Sequence, residues 1–226
     1  LGLPTLAAAL QEEPALTLRF FSYGIVSSKR TTNGLVEHAV SPEDVAAALS
    51  DTVVFDTGLL TADTLCVRSE GATRTVAEYR RPQKTALWLE GSDDPVRVPL
   101  PGLVLIRKTT ANAKPDYQLY AVASRPASYD APLYHAPLPN IYKSGGVCWG
   151  TVTKVRDLNT TSLAADFTQL FSTAFGNHSC GGKCVSFPRD VRKLYFAMEE
   201  RRTRVYSKKE LVTAKRTLGG VLGVGI

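Results

Sequence analysis

Between Thr64 and Ala123 the chain runs through five strand-like segments whose links are too short to hold a crossover helix. Residues 64–69, 73–80, 84–89, 96–108 and 117–123 are rich in β-branched and aromatic side chains. Gly91-Ser92-Asp93-Asp94-Pro95 and Ala111-Asn112-Ala113-Lys114-Pro115-Asp116 are turn-forming runs between them. Parallel neighbours need a connection of about a dozen residues or more. The spacing therefore predicts an antiparallel meander and excludes a parallel sheet.

The flanks have a different texture. Residues 3–11 are predicted helical, and 15–26 a strand in which Leu16, Leu18 and Phe20 alternate with other residues. Residues 28–34 form a basic turn signalled by Asn33-Gly34, and 35–40 the return strand. Ser41-Pro42-Glu43-Asp44 opens a helix reaching Ser50: Ser41 caps it, Pro42 takes its first position and acids fill its first turn. Residues 125–140 are expected to be an irregular loop stiffened by Pro126, Pro132, Pro137 and Pro139. Beyond Cys148, Leu163, Phe167, Leu170, Phe171 and Ala174 make one apolar stripe at helical spacing, stopped by Gly176 and Asn177. Residues 189–200 and 208–218 are two further helical candidates. Strands first and helices last make an α+β chain. The predicted division is an N-terminal helix–hairpin–helix elaboration over 1–64 and a main domain over 65–226 that ends in a basic helix.

Composition narrows the function classes. No run of about 18 apolar residues occurs, so no membrane-spanning helix is expected. Residues 1–10 lack a basic stretch and Glu12 and Glu13 follow, so the start does not read as a secretory signal. Four sparse cysteines (Cys66, Cys148, Cys180, Cys184) argue for a reducing, cytoplasmic setting over a disulfide scaffold. Residues 1–200 carry 20 Lys/Arg against 20 Asp/Glu, whereas 201–226 carry seven against Glu210 alone. That tail could meet DNA or an acidic protein, but a solvated helix explains it as well, and nucleic acid is not the expected partner.

One segment carries chemistry. Pro139-Asn140-Ile141-Tyr142-Lys143-Ser144-Gly145-Gly146-Val147-Cys148-Trp149-Gly150 ends a stiff loop on a thiol, eight residues after an asparagine amide. A thiol that attacks and an amide that steadies the developing oxyanion together make acyl transfer feasible. A cysteine is more often a small buried hydrophobe, and an asparagine in a turn often serves only its backbone. The loop setting favours the reactive alternative.

Pro-Asn-Ile-x-x-x-Gly-x-Val-Cys resembles the active-site signature of ubiquitin-conjugating enzymes, in which a His-Pro-Asn triplet precedes a glycine and the catalytic cysteine at this spacing. More narrowly, Asp56-Thr57-Gly58-Leu59-Leu60, Val98-Pro99-Leu100-Pro101-Gly102 and Pro137-Leu138-Pro139-Asn140 through Cys148-Trp149-Gly150 resemble the prokaryotic ubiquitin-conjugating-like family D, which includes the PRTRC system B proteins. Leu138 stands where the eukaryotic enzymes have a histidine that chiefly supports the loop. The resemblance implies a ubiquitin-conjugating-like fold, a thioester-forming transferase with Cys148 as acyl carrier, and Asn140 as oxyanion or loop support. It implies three partners: a ubiquitin-like modifier, an adenylating activating enzyme, and a deconjugating metallopeptidase of the same bacterial, antiphage-type system. No metal or organic cofactor is needed for that chemistry.

Other candidates follow. His178 lies 30 positions after Cys148, in the loop that in the resembled enzymes brings a polar group to the cysteine, and it could serve as base or be an exposed loop histidine. Cys180 and Cys184, with His178, supply three of the four ligands zinc takes; a redox pair and plain thiols are the alternatives. Tyr142 and Trp149 flank the thiol and are expected to contact substrate, whereas Tyr134 could line a groove or pack, and Trp88 is expected to pack. A non-catalytic binding module of the same fold, or a plasmid-maintenance protein touching DNA through its tail, are the competing functions.

Overall fold

A computed structural model describes residues 16–50, 57, 59–70, 73–110, 113–150 and 160–224, so the helix expected over 3–11 lies outside the described residues. The chain divides into two compact units, Leu1–Asp56 and Thr57–Ile226.

The first unit holds a three-stranded antiparallel sheet, β1 (Thr17–Phe21), β2 (Gly24–Thr31) and β3 (Gly34–Val40), followed by α1 (Pro42–Ser50). The single strand expected over 15–26 is two, because Gly24, at φ 154°, opens a new strand after a turn and Phe21 pairs with Gly24. The helix starts as its sequence dictates: the Ser41 hydroxyl accepts the Asp44 N–H at 3.0 Å.

In the second unit six antiparallel strands form one sheet in the order β11-β10-β9-β8-β5-β4. They are β4 (Thr64–Glu70), β5 (Thr73–Arg80), β8 (Gly102–Thr110), β9 (Asp116–Val122), β10 (Pro132–His135) and β11 (Thr213–Thr217). Between β5 and β8 the chain leaves the sheet as a separate hairpin, β6 (Gln83–Leu87) and β7 (Val96–Leu100). The run expected as one strand over 96–108 is therefore two: Pro101, which has no N–H to donate, marks the break between them. The mixed α+β class is as expected, with antiparallel sheets dominant.

The central strand β8 is buried from Gly102 to Ile106, which explains its continuous apolar run. Its side chains alternate between two cores. Leu103 and Leu105 join Val76, Leu119 and Ala121 on the face covered by α2 (Ala164–Phe171), α3 (Val191–Glu200) and the β6–β7 hairpin. Val104 and Ile106 join Ala77, Tyr120, Val122 and Leu133 on the face closed by α4 (Leu218–Leu222).

Two elements differ from expectation near the C-terminus. Residues 208–218 form a 3-10 turn (Lys208–Glu210) and then strand β11, not a basic helix. The residues expected as irregular loop supply β10, whose Leu133 and Pro132 pair with Arg216 and Thr217. Lys- and Arg-rich runs suit a helix intrinsically, but an open strand edge offers backbone partners that override so weak a preference. No helix among the described residues is long and apolar enough to cross a membrane.

A buried polar cluster fixes the start of α2, which leads to the site. The fully buried Arg107 guanidinium bonds the Asp166 carboxylate at 3.0 Å and the Thr160 carbonyl at 2.7 Å, and the Tyr117 hydroxyl donates to Asp166 at 2.7 Å. Burial pushes the Asp166 carboxyl up, against the pull of Tyr117 and Arg107. The Glu78 carboxylate takes the Leu163 N–H at 2.7 Å, just before the first turn of α2, where a negative charge is favoured.

Candidate active site

The spacing of Asn140 and Cys148 is the closure of a hairpin-like loop. The Asn140 carbonyl accepts the Cys148 N–H at 2.8 Å, Ile141 bridges Val147, and the Gly146 carbonyl accepts the Tyr142 N–H at 2.8 Å. The loop turns at Lys143-Ser144-Gly145, where Gly145 sits at φ 91° and donates to the Tyr142 carbonyl at 2.9 Å. A methyl group at Gly145 would lie 2.3 Å from the Tyr120 ring, so only glycine lets the turn approach it.

The closed loop then docks on β9. Val147 donates to the Tyr117 carbonyl at 3.0 Å and Leu119 to the Gly145 carbonyl at 2.8 Å. Strand β10 pairs with the same strand at Tyr120 and Ala121, so the thiol loop extends the sheet where β10 leaves off. The approach to the loop is held too: Leu138 is fully buried in the main core, and the Tyr195 hydroxyl donates to the Pro137 carbonyl.

Asn140 is the hinge of the arrangement. Its φ of 61° is left-handed, a conformation asparagine tolerates better than most residues. Its N–H reaches the His178 carbonyl at 3.3 Å, and its side-chain oxygen accepts the Gly176 N–H at 3.0 Å. With the amide oxygen held, the amide NH2 is the end left without a protein partner among the described residues. That group is a hydrogen-bond donor on a residue that shares a cavity with Cys148.

Asn140, Cys148, Trp149 and His178 line one cavity of about 350 Å³, together with Glu90, Leu170, Phe175 and Gly176. The segment after α2 reaches it because Phe175 exchanges hydrogen bonds with the chain after β6: Phe175 N–H to the Trp88 carbonyl at 2.7 Å, and Glu90 N–H to the Phe175 carbonyl at 2.9 Å. A Cβ at Gly176 would lie about equally far from three groups: 3.2 Å from the His178 Nδ1 and 3.3 Å from both the Asn140 Oδ1 and a Glu90 carboxylate oxygen. An amide, an imidazole and a carboxylate thus converge around Gly176, in the cavity that Cys148 also lines.

The half-exposed Tyr142 hydroxyl lies near enough to Cys148 to feel its thiol. That contact, and the repulsion between a phenolate and a thiolate, hold the phenol above its ordinary value. It stays protonated and can donate to sulfur.

The structure brings Cys148, Asn140, His178, Tyr142 and Trp149 together, though not all in the expected posture. Trp149 is a core residue, 9% exposed and edge-on to Tyr117 at 4.9 Å, that offers the cavity only part of its ring. Tyr134 packs half-buried against the main core. Trp88, expected to pack, is 43% exposed: it lies between buried Leu87 and Leu89 on an alternating segment and points the other way. Cys180 and Cys184 are both free and buried, donating to the His178 and Phe187 carbonyls, with burial pushing each thiol up. Among the described residues no group of three or more His, Cys, Asp or Glu could hold a metal ion.

Sequence reasoning missed Glu90, which follows a strand far from the motif; only its place on the exposed side of an alternating segment could have marked it. No curated protein and no solved structure matches the chain. Residues 43–214, which include the whole thiol loop, the hairpin that carries Glu90 and the segment that carries His178, match prokaryotic E2 family D, and the chain belongs to that family.

Proposed function

We propose that the protein is a bacterial conjugating enzyme that carries a ubiquitin-like protein as a thioester on Cys148. Family membership supports a conjugation role with a modifier and an activating enzyme as partners. The observation that carries the finer step is the clamped amide: Gly176 holds the Asn140 oxygen, so the amide NH2 is aimed by the fold before any substrate arrives.

In the first step the Cys148 thiolate attacks the C-terminal glycine carbonyl of a modifier held as a thioester on the activating enzyme. The carbonyl oxygen gains the charge, Asn140 donates to it, and the activating enzyme's thiolate leaves. In the second step a nucleophile attacks the Cys148 thioester and the Cys148 thiolate departs. For an amine acceptor, Glu90 attracts the ammonium and His178 takes the proton released on attack. ATP is consumed by the activating partner, so this chain needs no cofactor of its own.

The test is incubation with an activating enzyme, ATP and the modifier, followed by a non-reducing gel. The expected product is a thiol-sensitive adduct on wild type that is absent from Cys148→Ala. No adduct on wild type, or one that survives the substitution, overturns the proposal. Tight modifier binding without an adduct would make the chain a binding module instead.

A further inference from the structure

A second cavity, of about 570 Å³, is lined by residues 141–143 of the thiol loop and by 179–183 of the segment after α2. Lys183 belongs to it, yet is only 1% exposed, and its ammonium donates to the Ile141 carbonyl. Lysine is almost never fully buried unless paired, because taking the charge out of water is expensive. Here the surroundings compensate poorly. The Cys180 sulfur favours the charged form and Lys143 opposes it; His135, at the end of β10, is itself held down by burial, Lys183 and Lys143. Asp190 and Arg192 act on Cys180 with opposite sign. Burial, the largest influence, pushes Lys183 down to about 8.

The position of the accepting carbonyl gives the lysine a purpose. The Ile141 carbonyl and the Tyr142 N–H belong to one peptide plane. Its N–H is bound by the Gly146 carbonyl, a rung of the loop closure, and its oxygen by Lys183. We propose that Lys183 is a positioning residue: its ammonium locks this peptide plane and so fixes where Asn140, Tyr142 and Cys148 stand. A charge-assisted hydrogen bond is about twice as strong as a neutral one, so loss of the proton loosens the loop.

The consequence for transfer rests on the thioester function proposed above; the consequence for the loop does not, and the test separates them. In the full-length Cys148→Ala protein, backbone amide signals of residues 140–148 and the Lys183 Nζ signal are followed by NMR from about pH 6 to about pH 10. A shared inflection near 8 is expected, and it disappears from the loop in Cys148→Ala/Lys183→Met while amides of β5 and β8 keep their shifts. A loop inflection that survives Lys183→Met, or a Lys183 midpoint different from the loop's, overturns the proposal, and the second comparison needs no folded Met variant. With Cys148 present, transfer by Lys183→Met is expected to be about fivefold slower near neutral pH, with wild type losing a similar factor above about pH 8 and Lys183→Arg losing none there. Equal pH profiles for wild type and Lys183→Met also overturn it. Failure to form any thioester would count against the carrier function alone, leaving the NMR outcome to decide the role of Lys183.

Discussion

Replacing Gly145 with alanine tests the loop architecture most directly. Two independent penalties meet there. The backbone is at φ 91°, a conformation that costs an L-residue about 1–2 kcal/mol. The added methyl would stand 2.3 Å from the Tyr120 Cζ, 2.5 Å from its hydroxyl and 2.7 Å from its Cε2, far inside the contact distance of carbon atoms. Tyr120 cannot swing aside, because it is fully buried and its hydroxyl donates to the Ser144 carbonyl. Overpacking of this kind costs about 1–3 kcal/mol, giving about 2–5 kcal/mol in all. Gly91→Ala isolates the first penalty: φ is 81° there and nothing lies within 4 Å of the new methyl. Urea unfolding should therefore show Gly145→Ala less stable than Gly91→Ala by about 1–3 kcal/mol. Should the loop detach rather than strain the core, the same clash appears as faster hydrogen exchange at the Leu119 and Val147 amides. Combining Gly145→Ala with Tyr120→Leu should restore about 1–3 kcal/mol relative to the sum of the single effects. Equal stability for the two alanine variants with unchanged exchange, or a double variant additive to within about 0.5 kcal/mol, refutes the steric account.

Asn140→Asp keeps an acceptor for the Gly176 N–H and the left-handed backbone but removes the amide donor, so it should fold like wild type and transfer about 10²–10³-fold more slowly; an undiminished rate measured by thioester discharge counts against an oxyanion role. Asp166→Asn leaves the buried Arg107 charge without its carboxylate and should cost about 3–5 kcal/mol in urea unfolding, with a loss under about 1 kcal/mol contradicting the cluster's importance. Lys183 is depressed from 10.5 to about 8 in the folded state, so its buried charge burdens stability fully below about pH 8 and is relieved as pH rises toward its unfolded value. Wild type should accordingly gain up to about 3 kcal/mol relative to Lys183→Met between neutral pH and about pH 10.5; a stability difference independent of pH removes the basis for that shift.

The thiol loop was legible because its spacing is local: residues eight apart close a hairpin whose turn needs the flexible Gly145, and the sequence carries both facts within a dozen positions. The meander was legible for the same reason, apart from the hairpin that Pro101 splits from β8. What escaped depends on distant partners. Strand β10 hides in a proline-rich stretch because proline is admissible at the first residue of a strand, and β11 hides in a basic run because its state is set by the edge that β10 offers. Glu90 reaches the cavity only through its pairing with Phe175. Lys183 escaped because lysine is so rarely buried that composition argues for the surface.

The same geometry bears on Leu138, the position at which the resembled eukaryotic signature has histidine. A histidine support there would act by holding the loop through a polar side chain. In this chain several groups around that point have other anchors. Leu138 is fully buried, Tyr195 holds the preceding carbonyl, Asn140 is tied through its N–H, carbonyl and side-chain oxygen, and Lys183 holds the next carbonyl along. Buried leucine contributes to anchoring by excluding water and filling space, and it leaves no ring nitrogen needing a partner in the apolar core. Restoring the signature by Leu138→His would therefore bury a polar ring in the main apolar core, where it must find partners that leucine does not need. Tyr195, Asn140 and Lys183 thus anchor this stretch of the loop without a histidine at position 138.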